Sequence, residues 1–538
     1  MIAGRLAVAR RRPAEYPVLI LLERNLLERI VERGMPSLPP ALVSRNPLQW
    51  LRIFGPGAII ASLTIGTGEL IFSSRGGALF GYSILFPFLV ICLLKWTLAY
   101  SAARHMVLCG VHPLQRWAEL PLGPRGWLSM LFTALGVACI PVWVSFHASV
   151  LGDFFATLTH TKGFLGGATI HLWGAGVLVA TLALSLVGGY AALEKTQLAI
   201  VGLMLAAVAI TLAIFGPDWR ELLGGFFVPR RLAYPDWLAA DSRPAVQQIA
   251  ANPVWVELSL YVGVIGGSSY DYLAYAAYLR DKGWGRAGGE PAGGFTADEL
   301  RRWTRAPLID CTLSFAVVLA FSAVFVTAGK LILGPQRQLP GDGAFLEHQA
   351  QLVTAIHPWL YPLYAVGVFL AMIGTLYGTL EIMPTIVSEG LRAVRPATRR
   401  APGAARLRKF AVLWCAGAAL AVLGVSFAYQ LRAGASRPPG LTAVLAPVNL
   451  FTGVFGCGLI CLLNPWMDRR LPRQLRMPAA LVVLNLLGAA AFVLVGLRAY
   501  WEYARWTALG VLLITLAAGL AFSWAVNRRL AEPSPIDG

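Results

Sequence analysis

Apolar stretches long enough to cross a bilayer recur from Ile53 to Val526, with only short polar gaps between them. A helix needs about 20 such residues to span the hydrocarbon core. No soluble exterior could cover the remainder, since 57% of the 538 residues are hydrophobic and 13% are charged. Inside a bilayer the backbone N–H and C=O groups find no water, so the expected fold class is all-α integral membrane. The pattern places about twelve spans, at 53–75, 82–104, 127–150, 170–189, 194–215, 254–279, 306–330, 360–391, 410–429, 441–465, 477–497 and 507–526. These make one polytopic domain over 53–526, between a basic segment at 1–52 and a tail at 527–538.

Forty-five Lys and Arg against 27 Asp and Glu leave a net charge of +18, a balance that in a soluble protein invites nucleic-acid binding. Position gives another reading. Thirty-two of the 45 fall at the termini and in alternate loops, 12 fall in the intervening loops, and Lys95 is left inside a span. The positive-inside rule assigns the larger set to the cytoplasm. Both termini are therefore expected there, the lipid bilayer is the partner, and no nucleic acid is implied. Within the first segment, Tyr16 to Arg33 mixes Leu and Ile with Glu and Arg at helical spacing, which reads either as an amphipathic helix on the membrane surface or as a mobile basic tail. On the other face, Gly216 to Pro253 is expected to pack as a cap at the headgroup level.

Several motifs carry no chemistry. Seven scattered cysteines have neither metal-type nor disulfide-framework spacing and read as small packing residues. Gly283, Gly285 and Gly288 spell G-x-G-x-x-G, but no strand precedes them, so they read as a flexible connection. With no zinc-protease, P-loop or nucleophile-elbow motif, the sequence implies neither an enzyme nor a cofactor.

An ionisable side chain near the bilayer centre costs a few kcal/mol and needs a partner or a purpose. Glu69, Asp271 and Glu381 are the acids placed deep within spans, and Lys95 is the base. Glu69 follows Gly66, Thr67 and Gly68, and Asp271 follows Gly266, Gly267, Ser268, Ser269 and Tyr270. Glycine pairs weaken a helix there, so spans one and six are expected to be broken. Paired interrupted helices mark a transporter's central site, and their freed carbonyls bind cations. The site expected from this pattern comprises Gly66, Thr67, Glu69, Gly266, Ser269, Tyr270, Asp271 and Asn449, with Glu69 and Asp271 as metal ligands. Its donors are hard oxygens, suited to Mg, Ca or Mn.

Other readings stand beside this one. Lys95 is either an ion-pair partner of Glu69 or Asp271 or a fixed charge facing elsewhere. Glu381, three residues before Pro384, is either a proton relay or a contact for backbone freed by the proline. Asn449 either walls the cavity or bonds another helix. His147 either titrates near neutral pH or is a structural hydrogen-bonding residue.

The run GPGAIIASLTIGTGELIFSSRGGALFGY (Gly55 to Tyr82), with YAALEK (Tyr190 to Lys195), GTLYGTLE (Gly374 to Glu381) and SEGLR (Ser388 to Arg392), resembles the NRAMP family of divalent-metal transporters. The resemblance implies a LeuT-type fold, with inverted repeats formed by spans 1–5 and 6–10 and discontinuous helices 1 and 6. It implies secondary transport with a divalent metal ion as substrate. The family's Asp-Pro-Gly-Asn falls on Gly66, Thr67, Gly68 and Glu69, its methionine on Ser269, and a nearby histidine on Asp271. Acids of the family's span three fall near Phe146 and Ser149, so neither is retained. Oxygen ligands thus replace sulfur and imidazole, which favours an Mn- or Mg-like ion. The competing functions are transport of another solute on the same fold, an organic cation or amino acid, with Lys95 supplying a fixed charge where related folds use a bound ion, and a non-transporting membrane sensor. A prokaryotic inner membrane is the expected location, and the oligomeric state is left open.

Overall fold

The computed structural model describes residues 38–531 except 45, 122, 189, 290–293, 340–357, 395–403 and 434–447. The amphipathic helix expected at Tyr16 to Arg33 lies outside the described residues, as does the tail beyond Ala531. Among the described residues every regular element is helical.

The bundle helices, numbered here in chain order, are α1 (Pro56–Thr64), α2 (Thr67–Phe80), α3 (Leu85–Cys109), α4 (Trp127–Leu158), α5 (Thr169–Val187), α6 (Tyr190–Phe215), α7 (Val254–Val264), α8 (Ser269–Asp281), α9 (Arg305–Ala328), α10 (Tyr361–Val394), α11 (Ala404–Ala433), α12 (Gly456–Asp468) and α13 (Ala479–Ala531). Both expected breaks are present. Gly66 leaves the helical region at φ −69° and ψ −136°, separating α1 from α2. Gly266 and Gly267 take φ of +84° and +97° between α7 and α8, a left-handed backbone that strongly favours glycine.

Eight helical segments among the described residues are long and apolar enough to cross a membrane, fewer than the twelve spans read from sequence. The shortfall has three sources. Spans one and six are split into half-helices too short to qualify. The fifth is present as α6, many of whose side chains are undescribed. The twelfth lies in the second half of the 53-residue α13, many of whose side chains are undescribed; residues 498–506 contain neither proline nor glycine to stop that helix. The helix also carries on through most of the first few residues assigned to the tail.

Burial separates a centre from a rim. Every residue of α1 is buried, as are Tyr270 and Tyr272–Leu279 of α8, whereas α5 leaves Val179, Leu184 and Val187 exposed and α13 leaves Leu486, Leu487 and Leu494 exposed. Exposed apolar faces on a bundle of this length are lipid-facing surface. The segment 216–253 caps one end: Asp218 caps the helix Trp219–Phe227 through the amides of Arg220 and Glu221, Phe80 stacks on Tyr234 at 5.7 Å, and Lys330 pairs with Glu221.

Polar latches close the bundle at both ends. Near the cap, Arg75 of α2 meets Glu257 of α7 at 2.5 Å, and the Tyr261 hydroxyl donates to the same carboxylate at 2.7 Å. On the face carrying the more basic loops, Lys282 pairs with Glu194 at 2.5 Å, and Glu389 gathers Arg280, Arg392 and Gln115. Beside them His112 accepts the Leu114 amide at Nδ1 and bonds the Leu273 carbonyl through Nε2. Nδ1 therefore carries no proton, and burial pushes the imidazole below its usual range, so its approach to Glu389 is not an ion pair.

Among the buried acids that the sequence does not single out is one that holds a half-helix. Asp310 of α9 is fully buried and accepts the amides of Gly55 (2.9 Å) and Gly57 (2.7 Å) and the Tyr275 hydroxyl (2.9 Å). It caps α1 from another helix, supplying an acceptor to orphan N–H groups that α1 cannot satisfy itself. Asp310→Ala should lower stability by ~3 kcal/mol or more, since hydrogen bonds to a charged acceptor contribute about 1.5–3 kcal/mol each. Asp310→Asn should recover less than half of this, because its NH2 faces another N–H. Thermal unfolding of the purified variants measures both.

Candidate ion-binding site

The two breaks share a local design. Gly66 and Ser268 are the N-cap residues of α2 and α8, and three positions on stand Glu69 and Asp271. An acid in the first helical turn complements the positive end of the helix dipole. At the second break this becomes a capping box, with the Ser268 amide donating to Asp271 Oδ2 at 2.5 Å.

The carboxylates then diverge. A cavity between the breaks, α4 and α10 is lined by Thr64, His147, Ser268, Tyr270, Asp271 and Thr379, with Leu63, Ile140, Trp143 and Ile382 among its apolar walls. Asp271 is partly accessible there, its carboxylate held by the amide and the side chain of Ser268. Glu69 is fully buried, is not a lining residue, and holds Ser73 and Ser322 hydroxyls on Oε2 at 2.6 and 2.8 Å. The α7–α8 break thus presents its carboxylate to the cavity, while that of the α1–α2 break turns toward α9.

Lys95 joins neither acid: among the described residues no ion pair within 4.0 Å links it to Glu69 or Asp271. Its Nζ donates instead to the carbonyls of Ile265 (2.7 Å) and Gly267 (2.6 Å). The Tyr272 hydroxyl donates to the Gly266 carbonyl between them.

The remaining candidates are dispersed. Ser269 is turned to α12, where a Cβ on Gly456 would come within 2.3 Å of its Oγ. Tyr270 lines the cavity while donating to the Phe132 carbonyl at 2.7 Å. Gly66 leaves room for Thr375, whose Oγ1 would lie 1.7 Å from an added Cβ. The Thr67 side chain lies outside the described residues. Asn449 is buried against Gly263, the last turn of α7, rather than on the cavity wall. His147 lines the cavity and stacks on Trp143 at 5.7 Å. Glu381 is paired with Arg408 at 2.8 Å and accepts from Ser185 at 2.5 Å, tying α10 to α11 and α5. No group of three or more His, Cys, Asp or Glu that could hold a metal occurs among the described residues.

Paired broken helices at the centre, a cavity between them and latches at both ends define a membrane transporter of the LeuT-type fold. The family profile described as "Natural resistance-associated macrophage protein-like" matches residues 57–502, and the chain belongs to that family. It is a multi-pass integral membrane transporter and not an enzyme. The chain is similar to the crystal structure of the Eremococcus coleocola manganese transporter bound to an aromatic bis-isothiourea compound, at 14% identity and a TM-score of 0.65, covering 90% of this chain and 96% of that one. A mutant of the same transporter, with a histidine changed to alanine, aligns at 15% identity, a TM-score of 0.64 and the same coverage. No functionally curated protein matches the sequence.

Gly267 offers a direct probe of the break. An added Cβ would stand 3.0 Å from both Asp271 Oδ2 and Thr64 Oγ1, at a φ of +97°, where a non-glycine residue costs about 1–2 kcal/mol. Gly267→Ala should reach the membrane in normal amount and lose transport, whereas Gly417→Ala, with nothing within 4 Å of the new Cβ, should match the parent in both membrane yield and uptake.

Proposed function

We propose that this transporter carries a hard divalent cation, manganese- or magnesium-like, with Asp271 as its anionic ligand at the paired helix breaks. The observation that carries the reading is the partly accessible Asp271 carboxylate lining the cavity between the two breaks. Thr64, Ser268 and Thr379 add hydroxyls and His147 an imidazole, and among the described residues no sulfur lines the space. One carboxylate, a few hydroxyls and retained water suit ions that keep part of their hydration shell. Soft ions lose the thiolate or thioether that would favour them. Manganese is also what the solved relative is described as transporting.

Glu69 acts in this reading through its charge, because Ser73 and Ser322 hold it off the cavity. The basic loops support placing both termini in the cytoplasm, with residues 53–526 as the transport domain in a prokaryotic inner membrane.

In proteoliposomes, manganese uptake is expected to be inhibited more strongly by magnesium than by an equal concentration of cadmium. Asp271→Asn should abolish uptake, and Glu69→Gln should weaken it without abolishing it. Cadmium uptake as strong as that of manganese, together with an active Asp271→Asn variant, would refute the assignment.

A further inference from the structure

Three successive carbonyls are freed where α7 ends, and each already accepts a side-chain donor of this chain. Ile265 O and Gly267 O take the Lys95 Nζ at 2.7 and 2.6 Å, and Gly266 O takes the Tyr272 hydroxyl. In transporters with broken helices, such carbonyls and the negative C-terminal end of the half-helix are where a coupling cation is coordinated. Lys95 reaches that place from the middle of α3, is fully buried, and makes no ion pair with a described carboxylate. Gly266 fits its stem: an added Cβ would be 3.1 Å from Lys95 Cδ.

We propose that the Lys95 ammonium is a tethered cation, permanently filling the carbonyl position at the α7–α8 break, so that transport proceeds with one mobile cation and needs no second, coupling cation there. The inference rests on the Asp271 reading only for the identity of the mobile ion. Lys95 is a positioning residue: it fixes the carbonyls and leaves Asp271 as the ligand exposed to the cavity.

The test uses the full-length protein and two readouts. In thermal melting of purified protein, Lys95→Ala is expected to melt several degrees lower than the parent. Ethylammonium or sodium should recover most of that loss, the larger tetramethylammonium should not, and the parent should not respond to any of the three. This readout does not involve the transported metal, so it stands even if manganese uptake by the parent is absent and the Asp271 reading fails. In proteoliposomes, Lys95→Met, which keeps most of the stem and removes the charge, should lose manganese uptake in sodium-free buffer and regain it with sodium, while parent uptake is indifferent to sodium. If the alanine variant cannot be recovered folded, the methionine variant takes both measurements. Small cations that stabilise the variant no more than the parent, or a Lys95→Met variant that melts and transports like the parent, would overturn the proposal.

Discussion

A helix interrupted inside a membrane must give its freed backbone groups other partners, because no solvent is there to take them. The rest of this structure follows from how that requirement is met at the α7–α8 break. Two left-handed glycines turn the chain out of the helix, and Lys95 and Tyr272 receive the three carbonyls so exposed. Asp271 re-enters the helix as part of a capping box. Each of these groups would be costly to bury alone, and together they offset one another's desolvation. The arrangement leaves a partly accessible carboxylate, that of Asp271, on the cavity wall.

The first break is handled more compactly. Only Ile65 and Gly66 separate α1 from α2, and Thr375 supplies a hydroxyl to the Ser62 carbonyl at 3.0 Å. Asp310 holds the far end of α1. The central half-helices are therefore anchored by groups borne on α9 and α10, so movement of α1 against those helices must exchange these bonds. The Arg75–Glu257 and Lys282–Glu194 pairs lie at opposite ends of the same bundle, and opening either end means breaking a partly buried ion pair.

Much of this was legible in the sequence, for identifiable reasons. Glycine pairs ahead of an acid in an apolar run give the breaks, because the conformational preference of glycine is local. The direction in which a side chain points is not local. Nothing in the run around Glu69 announces that Ser322, 253 positions later, will draw its carboxylate toward α9, and nothing near Ser269 shows that Gly456 will receive it. Lys95 and Glu381 are legible as charges needing partners, but those partners, backbone carbonyls and Arg408, are set by tertiary packing. Asp310 is legible too: an acid inside the apolar run APLIDCTLSF obeys the same rule as the others. The continuous α13 shows the converse, since two apolar stretches joined by charged residues do not need a turn between them.

The central claim is that one cation binds at Asp271 beside a carbonyl position already filled by Lys95. The most direct measurement is anomalous diffraction at the manganese edge from crystals of the full-length protein grown with manganese. The account predicts a single peak in the cavity, about 2.1–2.5 Å from Asp271 Oδ1, with Lys95 Nζ still on the Ile265 and Gly267 carbonyls. A peak on those carbonyls with Lys95 displaced, or one remote from Asp271, would contradict it.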